Sequence, residues 1–475
     1  MPRLVVIGID GMDPYLCEKY KADMPNISSI METGLFKHCS SVFPPDSIPA
    51  WVTIYTGEPP ETHGWLDNID YEDIRKGVDL NKLCDLQGKT FWDQLGKAGK
   101  RVCIINPLMA YPVWPVNGIM VNGPVFITGE KQIYPPDLST RYELPELGGM
   151  TEFPTADTLP QFLAAALQST QNLAELGLNL LGAEKWDLFF ISFFTLDRVQ
   201  HFLWRFCDTS DPLYPGPTNL SDSILHAYKT FDAIIGEFLQ TIDNDTGLVV
   251  LSDHGHGQRP IMLFNLNEWL RQNHWLVTYQ GEKKRGSVLK VIEITKNTSI
   301  RLVARVLGER WLYRIGKLMP KRMRKALKAS SYLIDKKNSA AWASEMGGGA
   351  AVGGIVFNQN IDKQGQYYKE TIARLLENLV QYNPGVNNQL IHWAKVGGED
   401  NHYPDIIFEL NPQYSVGRSL YCPIIEQSSR HQIISGGHRR EGVLFAHNVS
   451  DHASRINSVS DIAESIIDYV LSQPA

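Results

Sequence analysis

The run Leu4-Val-Val-Ile-Gly-Ile-Asp10-Gly11 decides the fold. Its apolar residues are continuous rather than alternating, which is how a strand buried on both faces reads. It ends in a carboxylate followed by Gly. Runs of the same kind recur at Arg101–Asn106, Leu188–Phe194, Leu248–Ser252, Gly354–Phe357, Ile406–Leu410 and Val443–His447, bounded by Gly, Asp or Pro. Between them, Asp157–Leu181, Ser221–Thr241, Tyr367–Tyr382 and Val459–Leu471 carry apolar residues at three- and four-residue steps, the spacing of one helix face. Strands alternating with helices predict an α/β fold with a mostly parallel sheet covered on both faces. Ligands of such sheets bind beyond the carboxyl ends of the strands, so Asp10 stands where chemistry is expected. By itself, Asp-Gly after a strand is an ordinary turn.

The chain has 475 residues, 43% hydrophobic and 20% charged, which excludes disorder and fibres for most of its length. Six cysteines without a CxxC pair predict reduced thiols and a cytoplasmic protein. No apolar run approaches the ~18–20 residues of a membrane span, and the N-terminal run is too short for a signal peptide. The net charge of −7 is unevenly distributed. Between Arg301 and Lys337 twelve Lys and Arg face only Glu309 and Asp335, a balance of +10 that leaves −17 for the rest. The alternation also breaks from about Asn265 to Lys337. Residues 1–264 and 338–475 are therefore read as the core, and 265–337 as an inserted, basic, mostly helical cap. The bland reading of the cap is a small satellite core with a solvated basic surface. The sharper one is a lid that meets an anionic ester, a nucleotide or an anionic lipid surface.

Several residues beside the strand ends have the chemistry of a site. Ser47, two residues before Pro49, opens a helix-like stretch. It reads either as an N-cap or as a hydroxyl facing the free N–H groups of a helix terminus, where a phosphoryl group is stabilised. Asp197 and His201 lie four apart on one helix face, as a surface pair or as two ligands of one metal. Asp253-His254 closes an apolar strand, an unusual ending without a ligand to hold. His256 reads as a supporting or solvated residue rather than a ligand. His438 after Gly436-Gly437 is uninformative alone. Three Asp, three His and one hydroxyl together suit two borderline metals such as Zn²⁺, which clamp the two oxygens of an in-line displacement.

The pieces IGIDG (7–11), MPNISSIMETG (24–34), FPPDSIPAWVTIYTGEPPETHG (43–64), LDRVQH (196–201), SDHG (252–255) and GGH (436–438) carry a family resemblance. The chain resembles the alkaline phosphatase superfamily. It is most similar to the type I phosphodiesterase/nucleotide pyrophosphatase group, in its phosphohydrolase/phosphomutase-like branch. The resemblance implies a three-layer αβα sandwich with a mostly parallel central sheet and an inserted cap. It implies a hydrolase of phosphate esters, monoester or diester, that acts on a small phosphorylated substrate through a phosphoseryl intermediate at Ser47. Two divalent ions, Zn²⁺ or Mn²⁺, would be held by Asp197, His201 and His438, and by Asp10, Asp253, His254 and Ser47. His63 matches a position that supports the site without binding metal. The group's usual Thr is Ser47 here, and its Asn-His is Ala50-Trp51, so the resemblance does not by itself assign a nucleotide diester as the substrate. A sulfatase would need Arg at Trp51, and a metal-dependent phosphoglycerate mutase a far larger insertion than Trp65–Lys100. A phosphotransferase or phosphomutase shares the covalent step. A non-catalytic binding protein on a degenerate phosphatase fold would lack bound divalent ions.

Overall fold

The computed structural model describes residues 3–65, 86–123, 131–145, 154–279, 333–344, 346, 350–358, 360–383, 385, 389–397, 403–428 and 430–473. The chain forms two compact units, one of residues 1–258 with 435–475, the other of residues 259–434.

The first unit is built on an eight-stranded sheet. Its strands are β1 (Leu4–Ile9), β2 (Leu35–Ser40), β3 (Val102–Ile105), β4 (Gly118–Val121), β5 (Ile133–Tyr134), β6 (Leu188–Phe193), β7 (Gly247–Leu251) and β17 (Glu441–His447). The order is β2-β17-β7-β1-β6-β3-β4-β5. The five central strands run parallel, while β17 pairs antiparallel with both β2 and β7, and β5 with β4. Period-two geometry sends alternate side chains to opposite faces. Leu188 and Phe190 pack with Trp51, Tyr55, Phe91 and Trp92 on one side, whereas Phe189 and Phe193 meet Phe238 and Phe231 of the helix Ser223–Thr241 on the other. Helices on both faces make the α/β sandwich that the alternation predicts. Each fully buried Phe or Leu contributes about 1.5–3 kcal/mol, so the sheet that carries the site is anchored by burial on both faces. Gly8 makes one close approach possible: a Cβ there would lie 2.4 Å from the Trp51 indole.

A two-stranded antiparallel ribbon joins the units. β8 (Gly255–Gln258) leaves the first unit and β16 (Gly436–Arg439) returns to it, paired with Gln258 opposite Gly436.

The second unit holds β9 (Met262–Asn265), β14 (Tyr414–Gly417) and β15 (Ile425–Gln427) in one sheet, ordered β14-β9-β15. A four-stranded sheet of β10 (Ala341–Ala343), β11 (Val352–Phe357), β12 (Ile391–Val396) and β13 (Ile406–Leu410) has the order β10-β11-β13-β12 and is antiparallel throughout. The runs Gly354–Phe357 and Ile406–Leu410 thus belong to a separate sheet, and Val443–His447 is antiparallel. Buried strands of either direction have the same apolar composition. Direction is set by the partner, which composition does not show: β17 lies antiparallel between β2 and β7. The compact units divide at 258 and 434, whereas the sequence reading placed the cap at 265–337. Of the basic segment 301–337, residues 301–332 lie outside the described residues.

Among the described residues no helix is long and apolar enough to cross a membrane. Cys17, Cys39, Cys103, Cys207 and Cys422 are free thiols, and Cys84 lies outside the described residues.

Candidate metal centre

Three adjacent parallel strands, β7, β1 and β6, end side by side. Asp10 follows β1, Asp253 and His254 follow β7, and Asp197 lies in the first turn of the helix Thr195–Cys207 that follows β6. Sheet pairing alone therefore brings three carboxylates to one edge. His201 stands one turn after Asp197 on the same helix, and His438 comes from β16.

Ser47 is the first residue of the helix Ser47–Thr56, and Asp46 occupies the cap position. The Ser47 hydroxyl does not cap its own helix. It lies 3.3 Å from Asp10 Oδ1, toward which it donates, and 3.1 Å from His254 Nε2. His254 Nε2 is 3.3 Å from Asp253 Oδ2 and 3.8 Å from Asp10 Oδ1. The other carboxylate oxygens are tied down. Trp51 Nε1 donates to Asp10 Oδ2 at 2.9 Å, and Gly11 N donates to Asp253 Oδ1 at 3.1 Å.

On the far side of the site, His201 Nε2 lies 3.3 Å from Asp197 Oδ2 and His438 Nε2 lies 3.4 Å from Asp197 Oδ1. The three imidazoles are oriented in one way. His201 Nδ1 bonds Gly436 O at 2.9 Å, His254 Nδ1 bonds Gly255 O at 3.0 Å, and His438 Nδ1 bonds Pro45 O at 2.9 Å. A carbonyl only accepts, so each Nδ1 carries the hydrogen and a neutral ring turns its Nε2 lone pair inward. His201 Nε2 and His438 Nε2 then face each other at 3.0 Å. Two lone pairs at that separation repel unless a proton or a cation lies between them.

The electrostatics agree. Burial, then the charges of Asp253 and Asp197, raises the Asp10 carboxyl well above its usual range, and burial raises Asp253 likewise. Burial also opposes ionisation of Asp197, but His201, His256 and His438 outweigh it and hold that carboxyl well below normal. Burial pushes His201 down to about 3, while Asp197 overcomes burial at His438 and lifts it to about 9. In the metal-free protein the facing pair thus holds its proton on His438. Among the described residues, Asp197 Oδ1 and Asp253 Oδ2 are buried without a hydrogen-bond partner. Orphaned acceptors of this kind cost about 1–3 kcal/mol each or more, which a cation would remove. Asp10, Asp253 and His254 place one donor atom each within 4.8 Å of one another, and so do Asp197, His254 and His438, and Asp197, His201 and His256. The donor set fits divalent ions that accept oxygen and nitrogen.

All seven residues singled out from the sequence therefore meet in one place. His63 does not reach it: its Nδ1 accepts from Trp65 N and its Nε2 bonds Thr53 Oγ1 at 3.0 Å, steadying the Ser47 helix. The supporting roles of three further residues, Trp51, Gln200 and Asp13, escaped the sequence reading. Trp51 holds Asp10, and Gln200 Nε2 donates to Gly11 O at 2.7 Å. Asp13 Oδ2 accepts from the backbone of His256, whose ring enters the site. Of the supporting residues, His256 alone was singled out in the sequence, by its place beside Asp253-His254.

A family model described as type I phosphodiesterase / nucleotide pyrophosphatase matches residues 4–314. Ectonucleotide pyrophosphatase/phosphodiesterase family member 3 of Mus musculus is 25% identical over 128 residues, 26% of this chain and 14% of that protein. Its Rattus norvegicus counterpart is 26% identical over 127 residues, again 14% of its length. The chain thus spans a small part of the curated relatives it matches. The crystal structure of phosphonoacetate hydrolase from Sinorhizobium meliloti 1021 in complex with phosphonoacetate superposes with a TM-score of 0.51 at 15% identity, covering 99% of this chain and 96% of that one. That likeness is one of fold.

Proposed function

The chain belongs to the type I phosphodiesterase/nucleotide pyrophosphatase family, and from that premise we propose that it is a metal-dependent phosphohydrolase whose nucleophile is Ser47. One observation carries the reading: the Ser47 hydroxyl, at the amino end of a helix whose cap position is Asp46, lies between Asp10 and His254 at the ends of three adjacent strands.

Asp10, Asp253 and His254, with Ser47, would hold one divalent ion, and Asp197, His201 and His438 a second. Zn²⁺ or Mn²⁺ at these positions supplies Lewis acidity for the phosphoryl oxygens and lowers the pKa of the hydroxyl. The protein residues do the rest. Asp10 Oδ1 receives the hydrogen bond of Ser47, which directs the hydroxyl proton away from the attacking lone pair. Trp51 fixes the opposite oxygen of Asp10, so this direction does not drift. Ser47 Oγ bonds to phosphorus as the bond to the leaving oxygen breaks, giving a phosphoserine and an alcohol. Water then cleaves the phosphoserine and returns the hydroxyl. The amino end of the Ser47 helix offers its dipole to the phosphoryl charge in both steps.

Small phosphate esters are the substrate class. The +10 segment 301–337 suits an anionic ester, nucleotide or lipid, and a panel of monoesters, diesters, phosphonates and nucleotides with Zn²⁺ and with Mn²⁺ sorts these. Among the described residues five cysteines are free thiols, which favours a reducing, cytoplasmic setting, and cell fractionation tests this. Ser47→Ala should lower turnover by on the order of 10³–10⁶-fold and leave metal content unchanged. Normal hydrolysis of chromogenic esters by this variant would sink the reading.

A further inference from the structure

His256 has no task in the two-ion arrangement just proposed, yet its position is costly. The side chain is fully buried; among the described residues its Nδ1 has no hydrogen-bond partner, and its Nε2 meets Asp197 Oδ1 at 3.4 Å without good hydrogen-bond geometry. A buried imidazole left this way forfeits its hydration at both nitrogens, and native proteins rarely tolerate that without a ligand.

The surroundings show how the ring is held. His256 stands opposite His438 across the β8–β16 ribbon, and opposed residues of an antiparallel pair project from the same face. The Trp204 indole stacks on the ring at 5.9 Å and 25°. Gly436 keeps the other side open, since a Cβ there would lie 2.5 Å from His256 Cε1. The ring is thereby driven against Asp197, with Nε2 at 3.4 Å from Asp197 Oδ1, itself an orphaned oxygen.

We propose that His256 is a fourth protein donor to the ion at Asp197, His201 and His438. The inference rests on the two-ion reading and extends it. Bonds of about 2.0–2.1 Å to a tetrahedral Zn²⁺ set its donor atoms about 3.3–3.4 Å apart. Asp197 Oδ1 lies 3.4 Å from His256 Nε2 and 3.4 Å from His438 Nε2, Asp197 Oδ2 lies 3.3 Å from His201 Nε2, and His201 Nε2 lies 3.0 Å from His438 Nε2; Asp197, His201 and His256 place one donor atom each within 4.8 Å of one another. His256 approaches from inside the protein. Its side chain is 0% exposed, against 13% for Asp197, 14% for His438 and 20% for His201. The outer side remains for substrate. A set of three imidazoles and one carboxylate favours Zn²⁺ over Mn²⁺ at this position, by ligand softness and by the general order of affinities.

The test uses the cobalt-substituted full chain. His256→Gly should weaken binding of one of two Co²⁺ ions by more than about 100-fold, beyond the 10–100-fold cost of losing an outer partner. The visible d–d bands of that ion should change, and added imidazole should restore both affinity and spectrum. His256→Gln, which keeps more of the volume, replaces the glycine variant if the latter does not fold, with the same loss and spectral change expected. A variant with an unchanged cobalt spectrum overturns the proposal, whatever its affinity. Wild-type protein that binds no divalent ion overturns the two-ion reading along with it.

Discussion

The two halves of the candidate centre solve the same problem with different materials. Around Ser47 the donors are two carboxylates and one imidazole, Asp10, Asp253 and His254. Around Asp197 they are one carboxylate and the rings of His201, His256 and His438. In the first half like charges crowd, and both acids are raised. In the second the imidazoles surround the acid, and it is lowered. A carboxylate-rich pocket is paid for in the metal-free state by repulsion and binds hard cations without much preference. An imidazole-rich pocket is more nearly self-compensated and selects softer ions.

Asp197→Ala should break the second half outright. We expect one of two ions lost and turnover down by about 10³-fold or more, since a group whose parts act as a unit fails as one. Metal analysis and ester hydrolysis check it, and full metal content would show that the histidines suffice. Asp253→Asn sharpens the contrast instead. In chelator-treated protein at pH 7 it should raise stability by about 1–3 kcal/mol, because a buried acid disfavoured as an anion is removed. With Zn²⁺ present the same change should lower stability. Denaturant titrations with and without chelator give both signs.

A third test is pH. Burial holds His256 down to about 4 in the folded chain, against a usual value near 6.5. Between those values the unfolded chain binds a proton that the folded one does not. Metal-free stability should therefore rise with pH across about 4–6.5 by up to ~1.4 kcal/mol per unit from this residue. His256→Gln should flatten that slope. The smallest effect is expected at Trp51. Trp51→Phe removes the hydrogen bond to Asp10 and keeps most of the ring packing, so stability should fall by about 1 kcal/mol. Its kcat should fall by about tenfold with little change in KM, the pattern of a positioning residue.

What could be read in advance follows from this arrangement. Asp10, Asp253 and Asp197 were legible because each directly follows an apolar run, and parallel pairing then has few ways to keep strand ends apart. The α/β class was legible for the same reason. The direction of Val443–His447 and the separate sheet of Val352–Phe357 and Ile406–Leu410 were not, because a doubly buried strand looks alike in either orientation. The role of Ser47 was ambiguous, since a serine before Pro caps helices in many chains. Only the structure shows that Asp46 takes the cap position and that the Ser47 hydroxyl turns to Asp10 and His254. The surroundings of His256 were not legible because they come from Asp197, Trp204 and Gly436, none near it in sequence.

The ribbon of β8 and β16 has one more consequence. Gln258 and Gly436 are paired across it, so a stretch of more than 170 residues departs and returns at points one strand-width apart. A hairpin turn would close the same gap. The pairing lies within the first unit, so the register that sets His256 opposite His438 is fixed by the ribbon itself and not by the length of the chain that leaves at Gln258 and returns at Gly436.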